Sequence, residues 1–503
     1  MRKAIAVFPR VVLPSLGFVL CLLVANLATS TFSFAQAAYL IQLSQDSFGN
    51  AESQHMTEVE PGAAAYGSTI VTAFQVARIW GGGGADIGFA TSKDGGQSWT
   101  NGYLPGLTIY QGGSYQAVSD AAVAYDAKHK QWLISTLPIG NLQNYVATSR
   151  SSDGLTWSNP VLVTQLGSPD KNWITCDNSP TSPYFGNCYT EWDDTTQGDL
   201  LYMSTSTDGG LTWGPAKQTA RPDHGIGGQP LVLPNGNVVV GYEAFDGTMK
   251  AFMSTNGGQS WKAAVIIASA PSHNEAGNLR SAGLPSAAID GGGTLYMSWP
   301  DCSFRTGCAA NDIVYSTSTD GVNWSSVKRI PIDPLTSSVD HFIHGLGIDP
   351  TTAGAKAHLG VTYYYYPVSN CGNNCVLLVG YIESKDGGQT WGSVQQVGGP
   401  MKLSWLPDTF SGKMVADYVA TVFALGRGYP IYSNAYPLVN SLYQQAIYTV
   451  RRLVNHPLDD QHLSAANDVQ IPGATSDHGP RRYLDLDNEV PITPVNHPPE
   501  LKP

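Results

Sequence analysis

A chain of 503 residues that is 42% apolar and only 13% charged can bury a large core and is not a disordered polymer. With 27 Lys plus Arg against 39 Asp plus Glu it is acidic, net −12, and it holds no run of cations that could neutralise a phosphate backbone, so nucleic acid is excluded as a partner. Its 54 Gly, 32 Pro, 25 Tyr and 12 Trp favour strands joined by turns over helices.

Residues 1–37 read as a signal peptide. Arg2, Lys3 and Arg10 make a positive start, 11–27 is apolar, and Ala35-Gln36-Ala37 is a small-x-small cleavage site. Cleavage after Ala37 leaves a secreted chain with no membrane span. The competing reading, an uncleaved anchor, is opposed by Pro14 and Asn26 within the apolar run. Cys21 lacks the small residues before it that a lipoprotein signal needs. A folded domain then spans 38–452, and 453–503, rich in Pro, Asp, Asn and His without an apolar period, reads as a mobile tail.

Along the domain one octet recurs. SKDGGQSW (92–99), STDGGLTW (206–213) and SKDGGQTW (384–391) are full copies, STNGGQSW (254–261) carries Asn256 in place of Asp, and SSDGLTW (151–157) and STDGVNW (318–324) are one residue shorter. Asp94, Asp153, Asp208, Asn256, Asp320 and Asp386 head tight turns whose glycines take positive φ, and the closing Trp starts the next strand. Strands precede the octets, as in DIGFATS (86–92), DIVYSTS (312–318) and LLYMSTS (200–206).

A second repeat lies between the octets and pairs an inner strand with a hydrophobic neighbour. Its copies are EVEPGAAAYGSTIVTAF (58–74), SDAAVAYDAKHKQWLIST (119–136), WITCDN with NCYTEWDD, QPLVLPNGNVVVGYE (229–243), LPSAAIDGGGTLYMSW (284–299), HFIHGLGIDP with HLGVTYYYY, and KMVADYVATVFALGRGYPIYSNA (413–435). The last has no octet of its own. YLIQL (39–43) would supply the outer strand of that last unit, beside QAIYTV (445–450), closing the ring and removing exposed edges.

The octet resembles the Asp-box (BNR) repeat of sialidases and other β-propeller proteins, over roughly residues 57–400. The resemblance implies an all-β propeller. The box Trp residues are spaced 58, 56, 48, 63 and 67 apart, and the inner units point to seven blades, with six as the alternative. In that superfamily the Asp-box lies on outer strands, away from the central site, so it is scaffold. Sialidases themselves have six blades and hold the substrate carboxylate with three arginines, the first in Arg-Ile-Pro. Here the early Arg78-Ile79-Trp80 lacks the Pro, and no spacing identifies an arginine triad.

After the cysteine of the signal, six remain as close pairs: Cys176 with Cys188, Cys302 with Cys308, and Cys371 with Cys375. The clustering favours three local disulfides, in keeping with export, and the spacings do not suit zinc.

Ligands of propellers meet the loops where inner strands begin, so polar residues there are the candidates. These are Glu58 and Glu60, Asp120, Lys171 with Asp177, His224 with Gln229, His273 with Arg280, His341 with His344, and Asp417 with Tyr418. Asp120, Asp177, Glu60 and Asp417 are the candidate catalytic carboxylates of a sialidase-like glycoside hydrolase. Arg280, Arg305, His224 and Tyr418 are the candidate substrate contacts, Arg305 on a loop stiffened by the Cys302–Cys308 bridge. For each carboxylate alone, a cap or turn role is the competing reading. Clustered oxygens would also suit Ca²⁺, although no cofactor is required. Of Tyr363 to Tyr366, alternation sends half to the core and leaves half for a groove. The expected partner is an extracellular glycan, met by a monomer; the rival function is a non-catalytic propeller that binds glycan or protein.

Overall fold

The computed structural model describes residues 40–451 except Ala282, so the expected signal peptide and the tail lie outside the described residues. Among those described, every regular element is a strand or a three-residue 3₁₀ turn, and no helix is long and apolar enough to cross a membrane.

The strands follow one another in antiparallel meanders. Ser53–Tyr66, Thr69–Ile79, Gly84–Ser92 and Thr100–Tyr103 pair in that order. Next come Ala117–Asp126, Gln131–Ile139, Val146–Ser151 and Val161–Thr164. Pro169–Cys176, Cys188–Asp194 and Leu200–Ser206 form a third group, and Gly225–Val232, Val238–Ala244, Thr248–Ser254 and Val265–Ser269 a fourth. Ser286–Ile289, Leu295–Asp301, Asp312–Ser318 and Lys328–Arg329 follow, then Asp340–Ile348, Leu359–Tyr366, Val376–Ser384 and Gln395–Lys402. The last meander is Ala420–Ala424, Arg427–Val439 and Leu442–Val450, and its fourth strand comes from the other end of the chain. Leu40–Gln42 lies antiparallel to Leu442–Val450, with Leu40 opposite Val450.

Each meander begins with the inner strand read from the sequence, and each inner strand pairs with the hydrophobic strand quoted beside it. The second strands are buried on both faces. Thr69–Ile79 is buried from Ile70 to Arg78, because neighbouring meanders cover it on both sides. The tyrosine run departs from expectation for the same reason: Tyr363, Tyr364 and Tyr366 are buried, and Tyr365 is half-buried. The run is core packing and leaves no half for a groove.

Neighbouring meanders share little backbone ladder, so side chains near the inner strands fasten them. Gln75 Nε2 donates to Ser119 Oγ at 2.8 Å, and Asn172 Nδ2 donates to the Asp120 carbonyl at 3.1 Å. Ala287 N donates to Gln229 Oε1 at 2.7 Å, Leu346 N to Ser286 Oγ at 2.9 Å, and Thr421 Oγ1 to the Gly345 carbonyl at 2.7 Å. Ser433 Oγ donates to the Glu58 carbonyl at 2.9 Å, linking the last meander to the first. The fit is close: a Cβ on Gly62 would lie 2.3 Å from the Ala121 carbonyl oxygen.

The octet turns share one bonding pattern. Asp94 Oδ1 accepts from Gln97 N at 3.0 Å and Ser98 N at 2.9 Å, while Gly95 and Gly96 hold φ of 70° and 83°. Asp153 and Asp320 each accept from two backbone N–H groups at 2.8 Å. Asp208, Asn256 and Asp386 accept from the N–H four residues on, at 3.0, 3.0 and 2.8 Å. Each turn follows a third strand. It therefore lies at the end of its sheet opposite the start of the inner strand. The three disulfides form as the local pairs. Cys302–Cys308 and Cys371–Cys375 close loops at the end where inner strands start, and Cys176–Cys188 sits at the end of the turns.

Glu58 lies at the seam between first and last meanders. Its Oε2 accepts from Ser44 Oγ at 2.8 Å, and Ser44 Oγ accepts from Ile447 N at 2.8 Å. The other carboxyl oxygen has no partner. Burial, opposed by the Ser44 bond, pushes the carboxyl from 4.5 up to about 8. A carboxyl that holds its proton more tightly folded than unfolded contributes fully below the unfolded value, and the contribution is lost as pH rises through the folded one. Stability measured by denaturant titration should therefore fall between about pH 5 and about pH 8, and Glu58→Gln should flatten that slope. At a turn, Asp208→Ala should cost about 0.5–1.5 kcal/mol by the same measurement, since the exposed Thr212 N–H and hydroxyl lose their acceptor to water.

Candidate active site

Five inner strands are interrupted by a bulge. The register slips around Glu60, Asp120, Lys171, Gly227 and Ile343, which hold φ of 57°, 49°, 42°, 71° and 41°. Four of these five are not glycine, and a left-handed backbone costs such residues of order 1–3 kcal/mol. A bulge re-aims side chains and ends regular pairing, and the repetition at matching points on successive inner strands marks a built site.

Around these bulges lie six carboxyls and three cations. Asp417 is gripped by Arg280, whose Nε lies 2.9 and 3.1 Å from the two carboxylate oxygens and whose Nη2 completes a bidentate ion pair. Glu60 lies beside Asp417 and donates a hydrogen bond to it, and Gln75 Nε2 donates to Glu60 Oε2. Arg78 is buried, with Nη1 donating to the Ile79 carbonyl at 2.9 Å. The Lys171 ammonium sits 3.7 Å from the ring centroid of Tyr418 and 4.9 Å from that of Trp173, and these two rings meet edge to face at 5.4 Å. Asp170 faces Asp193 across the strand pair, and Glu191 faces Trp173. A Cβ on Gly228 would fall 2.3 Å from Glu191 Cδ, so the glycine of the neighbouring inner strand leaves room for that carboxyl. A cavity of about 240 Å³ runs along the inner strands, lined by Trp173, Tyr418, Ala63, Gln229, His344 and Phe423 among others.

The electrostatics divide the carboxyls. Burial raises Glu60 well above its ordinary value, and the charges of Asp417 and Asp120 add to the effect. The Asp417 side chain is 11% exposed, and although burial raises it, Arg280 and the hydrogen bonds from Arg280 and Glu60 hold it below its ordinary value. Burial raises Asp120 against the pull of Lys171, and raises Asp170, next to Asp120, to about 7. Glu191 and Asp193 are driven well up by burial. The Tyr418 phenol is held neutral by burial and by its acidic neighbours.

Of the residues singled out in the sequence, Glu60, Asp120, Lys171, Asp417, Arg280 and Tyr418 come together. Asp177 does not. It follows the far end of the strand Pro169–Cys176, where it accepts from Ser182 Oγ and from Ser179 N at 3.0 Å, the turn role. His224 is exposed, with Nδ1 2.7 Å from the Gly198 carbonyl. Arg305 is buried away from the cluster, its Nη2 2.5 Å from Asp312 and 2.7 Å from Asp333. Asp312 and Asp333, with His341, are the group among the described residues whose donor spacing suits a metal. Arg305 and Arg329 already occupy it: Arg329 Nη2 lies 2.8 and 2.5 Å from the same two carboxylates. Two fixed guanidiniums there do not fit a Ca²⁺ ion.

Sequence reading set Arg78 aside because Arg78-Ile79-Trp80 lacks the Pro of Arg-Ile-Pro, and it passed over Asp170, Glu191 and Asp193. The signal for the last two was the acid-bearing strand CYTEWDD, whose seven residues are all buried. Acids in a strand buried on both faces are costly unless they serve a site. Arg78 had no such signal, because its place in the cluster depends on a strand pairing far from Arg280.

No family model and no curated protein matches the chain. Solved structures similar to it include a Hadza microbial sialidase, Hz136, at 15% identity and TM-score 0.41, covering 79% of this chain and 66% of that one. A leech intramolecular trans-sialidase complexed with 2,7-anhydro-Neu5Ac is 11% identical with TM-score 0.44, covering 72% and 70%. A Penicillium chrysogenum α-L-arabinanase complexed with arabinobiose is 17% identical with TM-score 0.38, covering 65% and 93%. The chain spans about two thirds of the length of the first two.

Arg280→Ala would leave the Asp417 carboxylate buried without its counter-ion. The Arg280 side chain is 25% exposed, so the loss should be about 2–3 kcal/mol, below the ~3–5 kcal/mol of a fully buried pair. The double variant Arg280→Met with Asp417→Leu should recover most of it, as thermal unfolding of the three chains will show.

Proposed function

We propose that the chain is a secreted glycoside hydrolase, built as a closed seven-bladed propeller and acting on extracellular carbohydrate at its hub. The seven inner-strand pairs, the chain of side-chain bonds between successive meanders, and the pairing of Leu40–Gln42 with Leu442–Val450 support the ring. The three disulfides support export to an oxidising compartment.

The observation that carries the chemistry is the opposed protonation of two carboxyls in contact, Glu60 raised and Asp417 lowered. Pairs of titratable groups pushed apart by their surroundings are how a site assigns its acid and its base. Glu60, kept protonated, gives its proton to the departing glycosidic oxygen. Asp417, kept ionised by Arg280, supplies the negative charge that a positively charged sugar transition state calls for. Asp120, on the next inner strand, is the base that takes a proton from the attacking water. Phe410 is exposed at the rim, with the Arg280 guanidinium 5.9 Å from its ring centroid, and offers a flat face to a second sugar ring.

The full chain incubated with a panel of fluorogenic glycosides should turn over at least one of them, and Glu60→Gln should lower kcat about 10²–10⁴-fold with KM little changed. No turnover across the panel, or unchanged rates in Glu60→Gln and Asp417→Asn, would refute the assignment. The burial of Glu60, 1% exposed, favours a second reading, a non-catalytic propeller that binds glycan or protein; glycan binding without turnover selects it.

A further inference from the structure

Arg280 reaches Asp417 on a segment that does not take the short route. The chain leaves the fourth meander at Ser269 and enters the fifth at Ser286, yet between them it touches the sixth and pairs with the segment leading to the seventh. Tyr366 of the sixth donates its hydroxyl to the Ala276 carbonyl at 3.3 Å. Lys413 N donates to the Asn278 carbonyl at 2.8 Å, and Arg280 N donates to the Lys413 carbonyl at 2.7 Å. Residues 271–280 are thus a strap laid across two meanders, with Arg280 at its far end.

Little apolar burial holds the strap. From Pro271 to Arg280 only Leu279 is buried, so its place is set by polar ties. At the near end these gather on Asn311, which is fully buried just before the strand Asp312–Ser318. Asn311 Oδ1 accepts from His273 N at 2.7 Å, while Nδ2 donates to the His273 carbonyl at 2.7 Å and to Glu275 Oε1 at 3.0 Å. One side-chain amide therefore pairs with both backbone groups of His273, as a neighbouring strand would; a carboxylate in its place has no proton to donate. Asp340 holds both partners, accepting from Asn311 N at 2.6 Å through Oδ1, with Oδ2 3.0 Å from His273 Nδ1. Cys302 N, at the root of a bridged loop, donates to the Pro271 carbonyl at 2.9 Å. Besides Leu279, the far end rests on Lys413, part of the short hairpin of Asp408–Thr409 and Gly412–Lys413 whose tip, Phe410, is exposed.

We infer that Asn311 is a positioning residue: by clamping His273 it sets the register of the strap and so holds Arg280 against Asp417. This deepens the reading of Arg280 and Asp417 as part of an active site, but its first test needs no turnover. That test is a double-mutant cycle on denaturant unfolding of the full chain with Asn311→Ala, Arg280→Ala and the two combined. Because Asn311 bonds the strap at residues 273 and 275 while Arg280 pairs with Asp417, a merely local role for Asn311 gives additive losses. With positioning, the effect of Arg280→Ala on the unfolding constant should shrink about fivefold once Asn311 is gone. Additive losses overturn the inference. Should Asn311→Ala fail to fold, His273→Ala, which removes the ring contact with Asp340 and keeps the backbone ties, takes its place in the cycle with the same expectation. Where a glycoside is turned over, Asn311→Ala should also move the acid limb of kcat/KM up by about one pH unit, because Asp417 loses the cation that keeps it ionised. An unmoved limb overturns the inference as well. A coupled cycle with no turnover on any glycoside would sink the hydrolase and leave the strap standing; additive losses with turnover would do the reverse.

Discussion

Meanders that lie side by side with little common ladder leave backbone groups at their inner edges to be satisfied by something else. Here side chains do it, one bond after another: Gln75 to Ser119, Asn172 to the Asp120 carbonyl, Ala287 N to Gln229, Leu346 N to Ser286, Thr421 to the Gly345 carbonyl, Ser433 to the Glu58 carbonyl. Several of these residues sit on or next to a bulge. The device that fastens the meanders is thus the device that aims the site, and neither can be changed alone.

Charge is then concentrated where water is scarce. Six carboxyls and three cations share one neighbourhood, and only Asp417 and Arg280 form a complete bidentate pair. That pair spans 137 positions of sequence, joining segments that precede two different inner strands. It fixes one carboxyl as an anion, and the anion in turn helps keep its neighbour Glu60 protonated. The polarity of the site follows from this single bond, since burial by itself would have raised both carboxyls.

Much of the scaffold could be read from residues alone. Octet and inner-strand repeats carry their own turn chemistry and period, so strand order, the place of Leu40–Gln42 and the cysteine pairing were legible. The site was legible in part. Glu60, Asp120 and Asp417 stand near the starts of inner strands, which periodicity can locate. Asp177 was misplaced because one strand has two ends, and an acid after Cys176 lies at the wrong one. Glu191 was missed because it sits on a second strand, where period-2 reading assigns it to packing, and Arg78 was set aside for want of the motif's Pro. Arg305 looked exposed on a short bridged loop, yet its charge is spent on Asp312 and Asp333. Such pairings depend on how loops fold back, and spacing carries no record of that.

The antiparallel order of each meander also separates the molecule into two ends with different tolerances. The octet turns lie at the ends of their sheets opposite the starts of the inner strands, each closed by local bonds to its Asp or Asn. Several are tied to another segment as well, through Thr91 to the Gly154 carbonyl, Arg150 to the Gly209 carbonyl and Tyr315 to the Gly388 carbonyl. The candidate site lies toward the other end, where the Asp417–Arg280 pair joins residues 137 positions apart. A tag or surface tether at the turn end would therefore stand away from the candidate site, whereas a single change among the site residues reaches across more than one meander.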